Sequence, residues 1–368
     1  MKDLQEKFLN LKANSGFHSP SIFELRDELK LDIKIDACFL CNPYAFELFL
    51  SNFKNKDIHD NLKYYPPQNN ILSNILSDSI EIDPNYILIG NGAIQIIELI
   101  VRKFNQKRKC VVTPTFSSYY EYDEKNIFYF QTKKEENFLI DSQKLINFCK
   151  ENKIEVLILV NPNNPTGTVL NKKDMINIIS ELKDINVIVD ESFIDFYTRK
   201  ESLEKEVYKY NKLIIIRSLS KDFGIAGLRL GYAICSPNFK KELLNDYGLC
   251  WNINGISHLF LEILKDSNFR KEYENARIRY IDERNYFYKN ISSLDKIKVY
   301  PSHANFFIID CFENVDKVFF SLLFEGKIYT RILNDKLHLE KTFIRIACGK
   351  KEENEIITKT ILDISNIL

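Results

Sequence analysis

The most suggestive polar residues of this chain stand just beyond short apolar runs. Lys221 follows the run Leu213–Ile216, with Ser218 three residues before it and Arg229 eight residues after it. A lysine in an apolar, glycine-punctuated stretch is poorly solvated, so its pKa falls and its amine becomes a nucleophile suited to a Schiff base. A cation and a hydroxyl flanking that point indicate an anchor for a phosphate monoester.

Two further polar groups follow apolar runs in the same way. Asp190 comes directly after Asn186–Val189, and the segment Asn161–Gly167 follows Val156–Val160. A carboxylate at such a place is costly to bury unless it meets a cation, which favours a protonated ring nitrogen; a helix N-cap is the alternative. The two X-Pro units of NPNNPTG stiffen the turn and present the amide of Asn164 at a fixed place. A rigid turn without a binding role would show the same sequence pattern.

Glycine use points to the same segments. The chain has only 11 glycines in 368 residues, about half the usual share. Glycine belongs where backbone turns tightly or approaches a ligand closely. Six of the eleven fall in three short segments: Gly90 and Gly92; Gly167; Gly224, Gly227 and Gly231.

The elements that must position these groups alternate between apolar strands and amphipathic helices from about residue 86. Strands that are apolar throughout indicate an α/β fold with a mainly parallel sheet covered by helices on both faces. In such sheets ligands bind beyond the carboxyl ends of the strands. We predict a large domain over residues 41–250 and a smaller α+β domain over residues 251–368. The smaller domain begins with linking helices, and the N-terminal segment 1–40 joins it.

Composition narrows the class of protein. Lys and Arg together number 51, as do Asp and Glu, so the balanced charge disfavours a nucleic-acid binder. No apolar run approaches the roughly 20 residues of a membrane helix, and the N-terminus lacks a signal-peptide core. We therefore expect a cytoplasmic protein with no membrane partner.

Cysteine and histidine give no sign of a disulfide framework or a metal site. The eight cysteines are scattered along a chain long enough to form a core without cross-links. The single CxxC, Cys38–Cys41, lacks a second pair and is read as apolar packing. The five histidines show no ligand spacing, so we expect no metal.

Taken together, the motifs resemble one family. NPNNPTG, the segment Ser218–Tyr232 (SLSKDFGIAGLRLGY) and Phe343–Ile346 are jointly similar to the class I/II aminotransferases, the fold-type I pyridoxal 5′-phosphate (PLP) enzymes. The resemblance runs from about residue 36 to 349. It is strongest to the branch that holds histidinol-phosphate aminotransferase and threonine-phosphate decarboxylase. It implies a large PLP-binding domain with a smaller α+β domain and PLP as cofactor.

The resemblance implies roles for individual residues around the cofactor. Lys221 forms the Schiff base, Asp190 pairs with the pyridinium nitrogen, and Asn164 meets the ring hydroxyl. Phe116 is similar to the aromatic residue that stacks on the ring, with Tyr119 as the second choice. Backbone N–H groups at a helix start and two side chains hold the cofactor phosphate: Asn91, Gly92, Ala93, Ser218 and Arg229.

The same resemblance extends to a partner subunit and to substrate. Tyr65 resembles the tyrosine that reaches the cofactor phosphate across the interface of a homodimer. Arg345 looks like the arginine that binds the substrate carboxylate, and Arg331 like a second substrate-side arginine. His18 and Asn42 are further candidates for substrate contacts, although a surface histidine would also explain His18.

One departure bears on the reaction. Many aminotransferases carry a tyrosine three residues after the strand-end aspartate, whereas this chain has Phe193, as is typical of threonine-phosphate decarboxylases. The leading hypothesis is decarboxylation of threonine or serine O-phosphate to an amino-alcohol phosphate. The alternative is a histidinol-phosphate aminotransferase-like transfer between an amino acid such as glutamate and a phosphorylated carbonyl compound. A PLP-binding regulator without turnover is disfavoured because Lys221, Asp190 and both arginines are present.

Overall fold

The computed structural model describes residues 2–16, 18–54, 56–121 and 126–367. Its helices in these ranges are α1 Lys2–Asn14, α2 Ile22–Leu29, α3 Pro43–Phe53, α4 His59–Lys63, α5 Asn69–Ile80, α6 Gly92–Lys103, α7 Ser142–Glu151, α8 Lys172–Glu181, α9 Leu219–Asp222, α10 Pro237–Tyr247, α11 Gly255–Leu264, α12 Ser267–Ile291, α13 Val315–Phe324 and α14 Lys351–Ser365. Its strands there are β1 Ile35–Asp36, β2 Ile87–Asn91, β3 Lys109–Thr113, β4 Ile127–Gln131, β5 Val156–Val160, β6 Asn186–Asp190, β7 Leu213–Ser218, β8 Leu230–Ile234, β9 Lys298–Val299, β10 Phe306–Asp310, β11 Ile328–Tyr329, β12 Arg331–Ile332 and β13 Phe343–Ala347.

The large sheet has the strand order β2-β8-β7-β6-β5-β3-β4. Neighbouring strands from β7 to β4 are parallel, and β8 runs antiparallel to both of its neighbours. Alternate residues of β5 enter two different apolar cores: Leu157 and Leu159 one, Ile158 and Val160 the other. Because both faces are covered, the inner strands are apolar over most of their length, and the expected α/β fold is confirmed.

Helix α6 illustrates how the sequence sets up the site. Its buried residues recur every three or four positions, for example Ile96, Ile97 and Ile100, so one face packs on the sheet. Arg102 and Lys103 lie in its last turn, where cations favour the negative end of the helix dipole. Because α6 begins directly after β2 ends, its start lies at the carboxyl end of that strand. The first backbone N–H groups of a helix have no partner within the helix and can bind a ligand there.

The smaller sheet has the order β12-β13-β10-β9, with antiparallel neighbours. One apolar core joins Phe8 and Leu25 of the N-terminal segment to Phe306 and Ile361 near the C-terminal end. Strand β1 pairs in parallel with β11. The division at residues 40 and 250 stays a prediction.

Two details of the strands are not specified by the apolar pattern of the sequence. Strand β8 continues past Gly231 to Ile234 inside the large sheet. Residues 328–332 form two separate strands: β11 pairs with β1, whereas β12 pairs with β13. An apolar run shows that a segment is buried, but it does not specify which strand it pairs with or in which direction.

Candidate active site

A cavity of about 620 Å³ opens at the carboxyl ends of β5, β6 and β7, beside the start of α6. In open α/β sheets this edge is the usual place for a ligand. Most residues predicted from the sequence line it: His18, Ala93, Phe116, Asn164, Asp190, Ser218, Lys221, Arg229, Arg331 and Arg345. The other predicted residues are not among the described wall residues: Asn42, Tyr65, Asn91 and Gly92.

Asp190 ends β6 and is 3% exposed. Its Oδ2 accepts a hydrogen bond from the Tyr119 hydroxyl at 2.9 Å, and its Oδ1 accepts from the Ser192 backbone N–H at 2.9 Å. Burial raises the pKa of the Asp190 carboxyl above its usual range, and the hydrogen bonds from Ser192 and Tyr119 oppose that rise. Both donors fix the carboxylate in one orientation, facing the cavity.

Lys221 lies on α9, the short helix that follows β7. Its side chain makes no hydrogen bond with any described residue. Burial lowers the pKa of the Lys221 amine, and the guanidinium of Arg345 lowers it further. An amine of this kind is suited both to nucleophilic attack on an aldehyde and to proton transfer.

The start of α6 forms a close-packed cradle with Arg229 and β8. Gly92 has φ +75°, and a Cβ on it would lie 2.6 Å from Nη2 of Arg229. A Cβ on Gly231 would lie 2.3 Å from the backbone nitrogen of Ala93. Ser218, buried at the end of β7, also faces this part of the cavity. Glycine is therefore required here by space, and the N–H groups and the guanidinium meet at a point suited to an anion.

Asn164 and Arg345 contact each other directly. Nη1 of Arg345 donates to Oδ1 of Asn164 at 2.7 Å, and Nη2 donates to the Cys38 carbonyl at 2.9 Å. The buried Nε of Arg345 has no hydrogen-bond partner among the described residues. Burial lowers the pKa of Arg345 to about 10, so the group is still charged at neutral pH.

Two phenylalanines give the cavity apolar walls. Phe116 follows β3 and lines the cavity, and its ring centroid lies 6.4 Å from that of Tyr119. Phe193 is buried and packs edge-on against Phe306 with centroids 5.2 Å apart. The position that holds a hydroxyl donor in many aminotransferases is therefore hydrocarbon here.

Arg331 and His18 also line the cavity. Nη2 of Arg331 donates to Oδ2 of Asp335 at 2.5 Å, and Lys12 donates to the same oxygen at 3.1 Å. Nε2 of His18 lies 4.0 Å from Oε2 of Glu121. Burial lowers the pKa of the His18 imidazole, which the Glu121 carboxylate partly offsets.

Two predicted residues have other surroundings. Asn42 is fully buried and caps α3, because its Oδ1 accepts from the backbone N–H groups of Tyr44 and Ala45. Tyr65 is 78% exposed and stacks on Trp251 with centroids 4.8 Å apart. A substrate contact for Asn42 and a role for Tyr65 across an interface both stay predictions.

The sequence analysis missed Lys336, which lines the cavity beside Phe116. It follows Asp335 in the irregular segment between β12 and β13. No local pattern separated it from the chain's many surface lysines. Its only sequence signal was its place between Arg331 and Arg345, both already assigned to substrate.

No group of three or more described His, Cys, Asp and Glu side chains could hold a metal ion. All eight cysteines are free thiols. No helix in the described ranges is both long enough and apolar enough to cross a bilayer. The cytoplasmic location stays a prediction.

The groups present fit PLP. The cofactor has a ring nitrogen, an aldehyde and a phosphate. The cavity offers a buried carboxylate at Asp190 and, at Lys221, an amine that hydrogen-bonds to none of the described residues. The cradle beside Gly92, where a Cβ would collide with Arg229, offers N–H groups and a guanidinium for the phosphate.

Comparison with known proteins supports the assignment of the cavity as a PLP site. The family model for aminotransferase class I and II matches residues 53–361. The chain is 42% identical to L-serine phosphate decarboxylase of Campylobacter jejuni, over 99% of this chain and 97% of that protein. It is 33% identical to histidinol-phosphate aminotransferase of Clostridium novyi, over 88% and 89% of the two chains. A solved decarboxylase from Sulfurospirillum multivorans superposes with a TM-score of 0.92 at 36% identity, covering 99% and 96% of the two chains.

The chain therefore belongs to the aminotransferase class I and II family. It is a PLP-dependent enzyme of that family, and the family resemblance and the cofactor expected from the sequence are confirmed.

Proposed function

We propose that the protein decarboxylates L-serine O-phosphate to ethanolamine phosphate and carbon dioxide. The observation that carries the proposal is a cavity lined by cationic side chains beyond those assigned to the cofactor: Arg345, Arg331 and Lys336. Arg345 lies next to Asn164, whereas Arg331 and Lys336 lie near His18 and Phe116. A substrate with a carboxylate at one end and a phosphate at the other needs two cationic anchors.

The names of similar proteins support the same substrate. The relative in Campylobacter jejuni is an L-serine phosphate decarboxylase, as is a second relative in Sulfurospirillum multivorans with 38% identity over 97% of this chain. Phe193, which leaves that wall of the cavity without a hydroxyl, agrees with the decarboxylase pattern noted in the sequence.

In this proposal Arg345 sets which bond at the substrate Cα breaks. Its guanidinium is fixed by Asn164 and by the Cys38 carbonyl, so a carboxylate bound to it is held in one rotation about Cα. The cofactor, when bound, supplies an electron sink next to that carbon. Phe193 and Phe116 shield the bond from water with hydrocarbon.

Lys221 and Asp190 complete the chemistry. The Cα–carboxylate bond breaks and a Cα–H bond forms, so the reaction consumes one proton and no amino-group acceptor. Lys221 can deliver that proton, because burial places its pKa nearer neutrality than that of a surface lysine. Asp190, oriented by Tyr119, holds a proton at the ring nitrogen.

The test is turnover without a keto acid. Holoenzyme is mixed with O-phosphoserine alone, and carbon dioxide is followed over many turnovers with Lys221→Ala as the control. Sustained release supports the decarboxylase. A single stoichiometric conversion of the cofactor to its amine form, restored by 2-oxoglutarate or pyruvate, would establish the second candidate, an aminotransferase. That candidate is favoured by the 33% identity to a histidinol-phosphate aminotransferase.

We also propose that the enzyme is a homodimer in which Tyr65 reaches the neighbouring site. Tyr65, Trp251, Tyr64 and Leu62 are all at least half exposed, and an apolar surface of this kind is typical of an interface. Mixing inactive Tyr65→Ala and Lys221→Ala subunits tests it, because a hybrid dimer would hold one intact site. Recovery of about a quarter of wild-type activity is expected from random pairing. An active monomer in sedimentation, or mixing without recovery, would refute it.

A further inference from the structure

Lys336 is buried, lines the cavity and was not assigned a role by the sequence analysis. Its side chain is 9% exposed, and its Nζ donates to the Ser117 hydroxyl at 2.5 Å. Nζ lies 5.9 Å from the centroid of the Phe116 ring, which lines the same cavity.

The described residues leave Lys336 short of hydrogen-bond acceptors. An ammonium has three N–H donors, and Ser117 is its single hydrogen-bond partner among them. That hydroxyl also accepts from Tyr120 at 3.3 Å. A charge that is buried with most of its donors unused is costly, which indicates that another group completes the site.

Neither of the nearby carboxylates, Asp335 and Glu121, hydrogen-bonds to Lys336. Asp335 shares its Oδ2 between Lys12 and Arg331, and Lys336 hydrogen-bonds to neither of its oxygens. Glu121 faces His18 at 4.0 Å. Lys336 therefore has no carboxylate partner in the described chain, although it stands in a cavity that must take an anionic substrate.

We propose that Lys336 recognises the phosphate group of the substrate and so selects O-phosphorylated amino acids. The inference rests on the proposed function for the identity of the substrate. A phosphate monoester supplies three acceptor oxygens on a dianion, which fits an ammonium with two free N–H donors. Arg331, which lines the same cavity, adds positive charge.

The binding of phosphate then depends on pH in a defined direction. Burial, with the charge of Arg331, lowers the pKa of Lys336 to about 7, while Asp335 and Glu121 oppose the shift and Arg345 adds to it. Lys336 is charged below that pKa and loses its charge above it. The phosphate reaches its second ionisation near 6. Affinity is therefore greatest between about 6 and 7 and falls at higher pH.

The test measures the binding of inorganic phosphate and of ethanolamine phosphate to holoenzyme by calorimetry, so that the cofactor's own phosphate site is already occupied. Lys336→Met should weaken both ligands about 10- to 100-fold. KM for O-phosphoserine should rise by a similar factor with little change in kcat. Lys341→Met, an exposed lysine in the same segment, is the matched control and should change neither value.

Lys336→Arg tests whether phosphate binding depends on the positive charge at this position. It should restore most of the affinity and remove the loss of binding above pH 7, because arginine stays charged. Unchanged phosphate affinity in Lys336→Met would refute the inference while leaving a decarboxylating wild type intact. Weakened phosphate binding together with a wild type that releases no carbon dioxide would refute the decarboxylase and keep the phosphate site.

Discussion

Replacing Arg345 by lysine should cost far more than the unchanged formal charge suggests. Arg345 stands in β13, next to Arg331 of β12 in the sheet register. Its guanidinium already donates to Asn164 and to the Cys38 carbonyl, and the buried Nε has no hydrogen-bond partner in the described part of the chain. A lysine has one nitrogen at the end of its chain, so it cannot keep both of these contacts and also hold a carboxylate bidentately.

The size of the loss follows from these contacts. A hydrogen bond to a charged group contributes about 1.5–3 kcal/mol, and a buried acceptor left without its donor costs about 1–3 kcal/mol. Because part of this is recovered by the lysine, we expect a loss of about 2–4 kcal/mol in transition-state stabilisation, or about 30- to 1000-fold in kcat/KM. Burial already lowers the pKa of Arg345 to about 10, so a lysine in its place would also be charged less fully.

The assay compares two ligands that differ by the carboxylate. Carbon dioxide release from O-phosphoserine should fall by the factor above in Arg345→Lys, whereas ethanolamine phosphate, which has no carboxylate, should bind as to wild type. Arg102→Lys, at an exposed position of α6, is the control. A decrease in kcat/KM below about threefold, or an equal loss for ethanolamine phosphate, would remove Arg345 from carboxylate recognition.

Two further predictions concern the cofactor. Lys221→Ala should lose both the visible absorption band of the holoenzyme and carbon dioxide release, since the free amine of α9 is removed; a variant with full turnover would refute the assignment. Gly92→Ala should weaken PLP binding at least tenfold, because its Cβ would lie 2.6 Å from Nη2 of Arg229, and equilibrium dialysis measures this. Gly16→Ala, with a similar φ of +61° and open space around it, is the control, and equal PLP affinity in both variants would contradict the clash.

The sequence predicted where the buried strands lie better than it predicted their direction and pairing in the sheet. Strands β5, β6 and β7 were recognisable because helices cover both sheet faces, so each strand contains a continuous apolar run. Strand β8 is equally apolar, but its antiparallel direction depends on hydrogen bonds to β2 and β7. A run of apolar residues carries no information about direction.

The site was predictable where its residues sit in compact motifs at strand ends. Asp190, Asn164 and Lys221 each follow a buried strand, and the sheet brings such ends together. Lys336 was missed because it lies in an irregular segment without periodicity. Asn42 was predicted as a substrate contact, whereas in the structure it caps α3. An asparagine before a proline is as typical of a helix cap as of a binding residue.

Behind the cavity lies a buried network of ion pairs around Arg217. Arg217, in β7, forms ion pairs with Asp195 and with Glu204 away from the cavity, and it is buried there. Burial and the Asp195 carboxylate raise the pKa of Asp222, which is next to Lys221, well above its usual range, and Arg217 opposes that rise. This network fixes α9 from one side. The Lys221 amine can therefore keep a defined position facing the cavity although it hydrogen-bonds to no described residue. Removing the network is therefore expected to displace the Lys221 amine, although the network itself touches no substrate.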